Sequence, residues 1–351
     1  MMAGLRRRVD LHRRRLPGFG SRRASEPTVY YLAPCDNHPI GGIRVIYRHV
    51  DTLNALSIPA RVVHARPGFR CTWFDNETPV TYSAAVGFRP DDLLVIPEWY
   101  RPNRAPGVRT VVFNQRAYDT FDLMSYADTM AGAPYAAMLG LVGLLAVSRD
   151  NVDFLRYAFP RVPVHLVRNV VDAALFHPGS GPRPRRIAYL THRRAAEREQ
   201  LLHVLRSRGV ARGWEFVPIE GRTERETAAL LRDAAIFLSF SDREGFGLPP
   251  AEAMAAGCYV VGFTGLAGRD YFDPAYCSPV AEADLLAFAR AVEEACHAHD
   301  RDPGQLARAG QLASEVIRSR YSVDRLRADL LGFYGPLMAS HAQDAELARQ
   351  T

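Results

Sequence analysis

The stretch SDREGFGLPPAEAMAAG, residues 241–257, holds the residue types best suited to chemistry. A buried strand is expected at 236–240 before it, and a short helix at 250–256 within it. Proline opens that helix and Gly257 stands just past its end. A strand–loop–helix of this kind lies at the carboxyl edge of a parallel sheet, where open α/β folds bind ligands. Gly245 and Gly247 let the backbone approach a phosphate closely. The amides of Gly247 and Leu248, with the helix N-terminus behind them, offer an anion site. Glu244 lies in the loop, and Glu252, eight residues on, is expected in the first helical turn. Carboxylates so placed accept hydrogen bonds from sugar hydroxyls. The alternative for Glu252 is an acid favoured only by the helix dipole.

Other chemistries find less support. All 44 cationic residues are Arg, so Schiff-base chemistry and a Walker A lysine are excluded. GFGLPP lacks the third glycine of a dinucleotide fingerprint and does not open the first βαβ unit, and no G-x-S-x-G occurs. Asp300-Arg301-Asp302 is formally D-x-D but follows a helix, which reads as a loop. Cys296, His297 and His299 sit close in sequence, but a helix end would splay them, so no metal site is expected. Paired glutamates also occur in glycoside hydrolases, but there they come from separate elements flanking the bond.

The surrounding pattern is βαβ. Strands are expected at 28–32, 60–64, 92–96, 110–113 and 144–147, with a helix opening at Gly41-Gly42 whose apolar face is Ile43, Ile46, Val50, Leu53 and Leu56. The uncharged run 130–147 is read as a buried helix followed by the strand 144–147, not as a membrane span. Residues 178–185, PGSGPRPR, suit a linker. The alternation then resumes with strands at 187–190, 214–218, 236–240 and 259–263, and helices at 194–208 and 224–234. Helices are expected at 284–297, 305–318 and 323–337. The expectation is two doubly wound α/β domains with a cleft between them: 27–177, then 178–322. A helix and tail at 323–351 could return to the first domain.

The 351 residues carry a net charge of +6, unevenly placed. Residues 1–26 hold eight Arg against Asp10 and Glu26, and subtraction leaves 36 Arg against 36 acids in 27–351. A basic groove for nucleic acid is therefore not supported. Residues 1–26 read as a disordered basic arm without an apolar secretory core, either a solvated tail or an attractor for anionic lipid headgroups. Five scattered cysteines, with no C-x-x-C, fit a reducing compartment.

The motif E-G-F-G-L-P-P-x-E-A-M-A-x-G closely resembles the E-x7-E signature of retaining GT-B glycosyltransferases, family 4. GGI at 41–43 is similar to the family's N-terminal glycine loop, AVS at 146–148 to its strand–Ser junction, and RNVVDAALFHP at 168–178 to its N-G-V-D-x-x-x-F-x-P stretch. The resemblance covers residues 28–335 in family order and implies the GT-B fold. It implies that Glu244 holds donor-sugar hydroxyls, that Glu252 holds the ribose, and that the backbone of Gly245, Phe246, Gly247 and Leu248 carries the donor phosphates, with Gly41 and Gly42 opposite. The family uses no metal, so fixed cations must neutralise the leaving diphosphate. The usual G-R and K-G pair is missing here; Arg193 and Arg194, with Arg198 behind them, are the candidates. Val170 replaces the family's usual Gly. The family's acceptor-side His is replaced by Asn114, followed by Gln115 and Arg116, and Glu98 could line the same place. The leaving phosphate can take the acceptor proton, so no strong enzymic base is required.

These expectations describe a cytoplasmic enzyme that moves a sugar from a nucleotide-sugar to a hydroxyl of a glycan or lipid-linked acceptor with retention. Glu244, Arg193 and Asn114 are its catalytic candidates, and Glu98, Asn114 and Gln115 its acceptor-binding ones. No cofactor or metal is implied, and the arm suggests peripheral contact with an anionic membrane. The alternative is a GT-B-like module that binds a nucleotide or glycan without turnover.

Overall fold

The computed structural model describes residues 15–100, 107–122, 124–210 and 212–350, the side chains of 128 and 339–350 excepted. It divides into two compact units, one of residues 1–168 and 323–351, the other Asn169–Ser322. The division falls nine residues before the stretch 178–185 expected to be a linker.

The first unit holds β1 (Val29–Leu32), β2 (Ala60–His64), β3 (Val80–Tyr82), β4 (Leu93–Pro97), β5 (Arg109–Asn114), β6 (Leu141–Ala146) and β7 (Val164–Leu166). They form one sheet in the order β3-β2-β1-β4-β5-β6-β7, every pair parallel. Its inner strands are nearly continuous apolar runs because helices and loops cover both faces. Helix α1 (Gly41–Ala55) buries Ile43, Ile46, Val50 and Leu53, three or four residues apart. Helix α2 (Arg149–Ala158) starts at Ser148, whose hydroxyl accepts from the Asn151 amide at 3.1 Å.

The second unit holds β8 (Arg186–Leu190), β9 (Glu215–Ile219), β10 (Ile236–Glu244), β11 (Tyr259–Leu266) and β12 (Ser278–Val280). Their order is β12-β11-β10-β8-β9, again all parallel. Its helices are α3 (Ala195–Arg208), α4 (Glu224–Asp233), α5 (Leu248–Ala255), α6 (Leu285–Arg301) and α7 (Pro303–Arg320). Thr223 and Glu226 close a reciprocal capping box on α4. Asp300 and Asp302 serve the α6–α7 junction. Asp300 pairs with Arg185 at 2.8 Å, and Asp302 caps α7 by accepting from the Gly304 amide at 2.9 Å.

Helix α8 (Val323–Gln350) belongs to the first unit. Leu326, Leu330, Phe333 and Tyr334 are buried, the spacing of one helical face. The Tyr334 and Tyr31 hydroxyls meet at 2.8 Å, and Asp329 pairs with Arg168 at 2.7 Å. No helix among the described residues is long and apolar enough to cross a membrane.

Three expectations are corrected here. Residues 1–14 of the basic arm lie outside the described residues, but residues 15–26 are packed rather than disordered. The Phe19 ring lies 4.8 Å from Phe88, the Gly20 amide donates to Ser83, and the Arg22 carbonyl accepts from Gly87. Apolar Leu16 and Phe19 make this possible amid the arginines. The run 130–147 begins not with a helix but with turns up to Gly140, followed by β6. Gly132 and Gly140 take φ of +77° and +75°, incompatible with a helix interior. The stretch 178–185 is a strap on the second unit: Arg183 donates to the carbonyls of Leu231, Ala234 and Ala256.

Candidate active site

In the second sheet β8 and β10 are neighbours, with β9 beyond one and β11 beyond the other. Strand order reverses between them, so the loops at their carboxyl ends part and leave a crevice. Residues 191–194 leave β8 and residues 245–247 leave β10. The Arg193 Nε lies 3.2 Å from Glu244 Oε1 across this point. The Glu244 side chain is 15% exposed and that of Arg193 39%, so the carboxylate is largely covered while the guanidinium reaches solvent.

The loop after Glu244 is held from beneath. Gly247 caps α5 at φ +85°, and a Cβ there would lie 2.7 Å from the Tyr271 hydroxyl. That hydroxyl sits 2.6 Å from the Gly247 carbonyl oxygen and 3.1 Å from that of Phe246. Burial pushes the Tyr271 pKa well above its ordinary value, so the donor proton is retained. Phe246 is buried, its ring 5.3 Å from Tyr271 and 4.7 Å from Tyr321. It anchors the loop, and only its backbone is available to a ligand. Of the first three helical positions only Leu248 carries an N–H, since Pro249 and Pro250 have none. Gly265, at φ +61°, makes room for the glutamate: a Cβ there would lie 3.2 Å from Glu244 Cγ. Glu252 is the fifth residue of α5, beyond the first turn in which it was expected. It remains partly exposed.

The three candidate arginines separate. Arg193 faces the crevice with Glu244. Arg194, with its side chain 13% exposed, pairs with Glu197, Asp242 and Glu282 and stacks on the Phe263 ring at 4.7 Å. Arg198 turns back to donate to the Thr191 and Arg193 carbonyls.

The first sheet reverses its order between β1 and β4. Gly41 and Gly42 open α1 beyond β1, Glu98 follows β4, and Asn114 ends β5. Gln115 Nε2 donates to the Gly42 carbonyl at 3.0 Å, and a Cβ on Gly42 would come within 3.2 Å of it. Glu98 is 7% exposed, and burial pushes its pKa up to about 7, offset in part by the Gln115 backbone amide. Its Oε2 is buried without a partner. Asn114 is fully enclosed, with Nδ2 2.9 Å from Thr120 Oγ1 and Oδ1 buried without a partner. Glu98, Gln115 and Gly42 therefore gather at one edge, while Asn114 lies beneath it.

Residues 136–298 match the family described as "Glycosyl transferases group 1". An alpha-1,6-glucosyltransferase of Actinobacillus pleuropneumoniae serotype 7 (strain AP76) is 32% identical over 123 residues, 34% of this chain and 37% of that protein. The chain thus matches little more than a third of that relative's length. Among solved structures, the sucrose-phosphate synthase of Thermosynechococcus elongatus superposes with a TM-score of 0.63 at 12% identity, covering 90% of this chain and all of that one. A glycosyltransferase of Rickettsia africae ESF-5 superposes with a TM-score of 0.60 at 11% identity, covering 90% of this chain and 99% of that one. The two parallel-sheet units have the GT-B fold.

The matched segment contains Arg193, Glu244 and Glu252 but not Gly41, Glu98 or Asn114. Gly265, near the end of β11, and Tyr271 and Glu282, in turns beyond β11 and β12, shape the surroundings of Glu244 and were missed from the sequence because none belongs to a motif of its own. Among the described residues no group of three His, Cys, Asp or Glu could hold a metal ion.

Proposed function

We propose that the protein is a retaining, metal-independent glycosyltransferase acting on a nucleotide-activated hexose. The observation that carries this reading is the Arg193–Glu244 pair, 3.2 Å apart at the order reversal of the second sheet. Arg193 supplies fixed positive charge for the leaving diphosphate, a role that is effective where water is scarce. Glu244 accepts hydrogen bonds from donor-sugar hydroxyls, and Glu252 from the ribose. The Leu248 amide and the α5 N-terminus add to the phosphate site. As the bond from the anomeric carbon to the leaving phosphate breaks, the acceptor oxygen bonds to that carbon from the same face and gives its proton to the leaving phosphate, which retains the anomeric configuration. Glu98 and Gln115 receive the acceptor on the first unit, above the enclosed Asn114.

The match to a protein named an alpha-1,6-glucosyltransferase makes glucose the first sugar to try and supports a role in polysaccharide synthesis. A cytoplasmic enzyme serving a glycan or lipid-linked acceptor fits this reading. Residues 1–14, rich in arginine, would draw it to an anionic membrane face.

The test is release of nucleoside diphosphate from UDP-, ADP-, GDP- and dTDP-glucose in the presence of EDTA, with the anomer of the product assigned by NMR. Turnover of one donor with an unchanged anomer is expected. Binding without release would identify a non-catalytic module, and an inverted product would overturn retention.

A further inference from the structure

Three arginines stand within six positions of the β8–α3 junction, and their surroundings differ in kind. Arg193 meets the carboxylate of the crevice glutamate. Arg194 is spent on the protein itself. Its Nε donates to the Ser241 carbonyl at 3.1 Å, Nη1 to Glu197 at 2.8 Å, and Nη2 to Asp242 at 3.0 Å and to Glu282 at 2.6 Å. These partners come from α3, from the end of β10 and from the turn after β12. Glu282 carries the link onward, accepting from the Gly265 amide at 2.9 Å and from Thr264 Oγ1 at 3.4 Å. Gly265 is the residue against which Glu244 packs. Arg194 itself sits at φ +40°, a left-handed conformation that a side chain of its size adopts only when its surroundings hold it there.

We propose that Arg194 and Glu282 are positioning residues that set the Arg193–Glu244 spacing, and that Arg193 alone of the three arginines meets the donor diphosphate. This inference rests on the donor-site reading above. Arg194 spans the strand ends on both sides of the crevice, and Glu282 fixes the glycine beneath Glu244. Arg198 holds the Arg193 carbonyl from inside α3. A guanidinium suits this place because its planar fork serves several acceptors at fixed angles, which an ammonium cannot.

The two roles for Arg194 give opposite signs. If Arg194 met the diphosphate directly, neutralising Glu282 would free it and tighten diphosphate binding. If it positions Arg193, the same change loosens the crevice and weakens binding.

The experiment measures binding of UDP, GDP, dTDP and ADP, and of the matching monophosphates, to the full chain and to variants. Glu282→Gln and Arg194→Gln should each weaken diphosphate binding by roughly tenfold, and the double variant should be little worse than either, as for residues in one network. Arg194→Lys should fail to restore it. Arg193→Gln should remove the preference for diphosphate over monophosphate, whereas Arg194→Gln should retain it. Asp242→Asn, at a half-exposed position, supplies a milder variant if Glu282→Gln does not fold, and should weaken binding in the same direction. Tighter or unchanged binding in Glu282→Gln or Asp242→Asn, or rescue by Arg194→Lys, would overturn the positioning role. Failure of the unaltered protein to bind any of these nucleotides would instead overturn the donor-site reading, and this inference with it.

Discussion

Arg193, on the loop that leaves β8, and Glu244, the last residue of the adjacent parallel strand β10, lie 51 residues apart in the chain and 3.2 Å apart in space. On the proposed reading, the pair joins the cation needed at a leaving diphosphate to the carboxylate needed at a sugar. Removing either side should impair transfer more than donor binding. Glu244→Gln keeps the shape but loses the charge, and kcat should fall by roughly a hundredfold, as for loss of a group that acts mainly in the transition state. Steady-state kinetics with the best nucleotide-sugar checks this; an unchanged kcat would remove Glu244 from the reaction.

Glu252 should act on binding instead. Its place in the second turn of α5, past Pro249 and Pro250, sets it away from the Leu248 amide. Glu252→Ala should weaken nucleoside diphosphate binding by about tenfold, the loss of roughly one charge-assisted hydrogen bond. Calorimetric titration measures it, and unchanged affinity would take Glu252 out of the site.

Glu98 makes a pH-dependent prediction. Its pKa is pushed up from 4.5 to about 7 by burial. Between those values the folded protein holds a proton that the unfolded chain has lost. Stability therefore falls as pH rises through this window and levels off above it, with a total effect of about 3 kcal/mol. Glu98→Gln should flatten this part of the profile. Urea unfolding at pH 5 and pH 8 provides the comparison; an identical pH dependence in the variant would show that the carboxyl is not protonated in the fold.

The N-terminal segment should show two separable effects. Phe19→Ala removes a ring packed 4.8 Å from Phe88 and should lower the melting temperature. Deleting residues 1–14 should reduce binding to anionic vesicles while leaving turnover of soluble donor unchanged. Cosedimentation with phosphatidylglycerol vesicles reads the second effect, and undiminished binding would locate any membrane contact elsewhere.

Much of the fold was legible because buried parallel strands are continuous apolar runs and the helices bury residues three or four apart. The runs at 236–240 and 259–263 lie within β10 and β11 for this reason. The edge strands β3, β7 and β12 have only three residues each, too few for a pattern. The turns before β6 were misread because an uncharged run shows no period that separates helix from loop. At the candidate site, Glu244 was singled out for its place beside a glycine loop and Arg193 for its place at a helix entrance, and the two lie together. The division of labour among Arg193, Arg194 and Arg198 was not, since neighbouring arginines look alike until their partners are known. Those partners, Asp242 and Glu282, come from other strands' ends.

The most direct measurement is amide hydrogen exchange of the full chain with and without a saturating nucleoside diphosphate chosen by thermal shift. The account predicts new protection at residues 191–198 and 244–252, the two segments bearing Arg193 and Glu244. Protection confined to other segments, with these two unchanged, would contradict it.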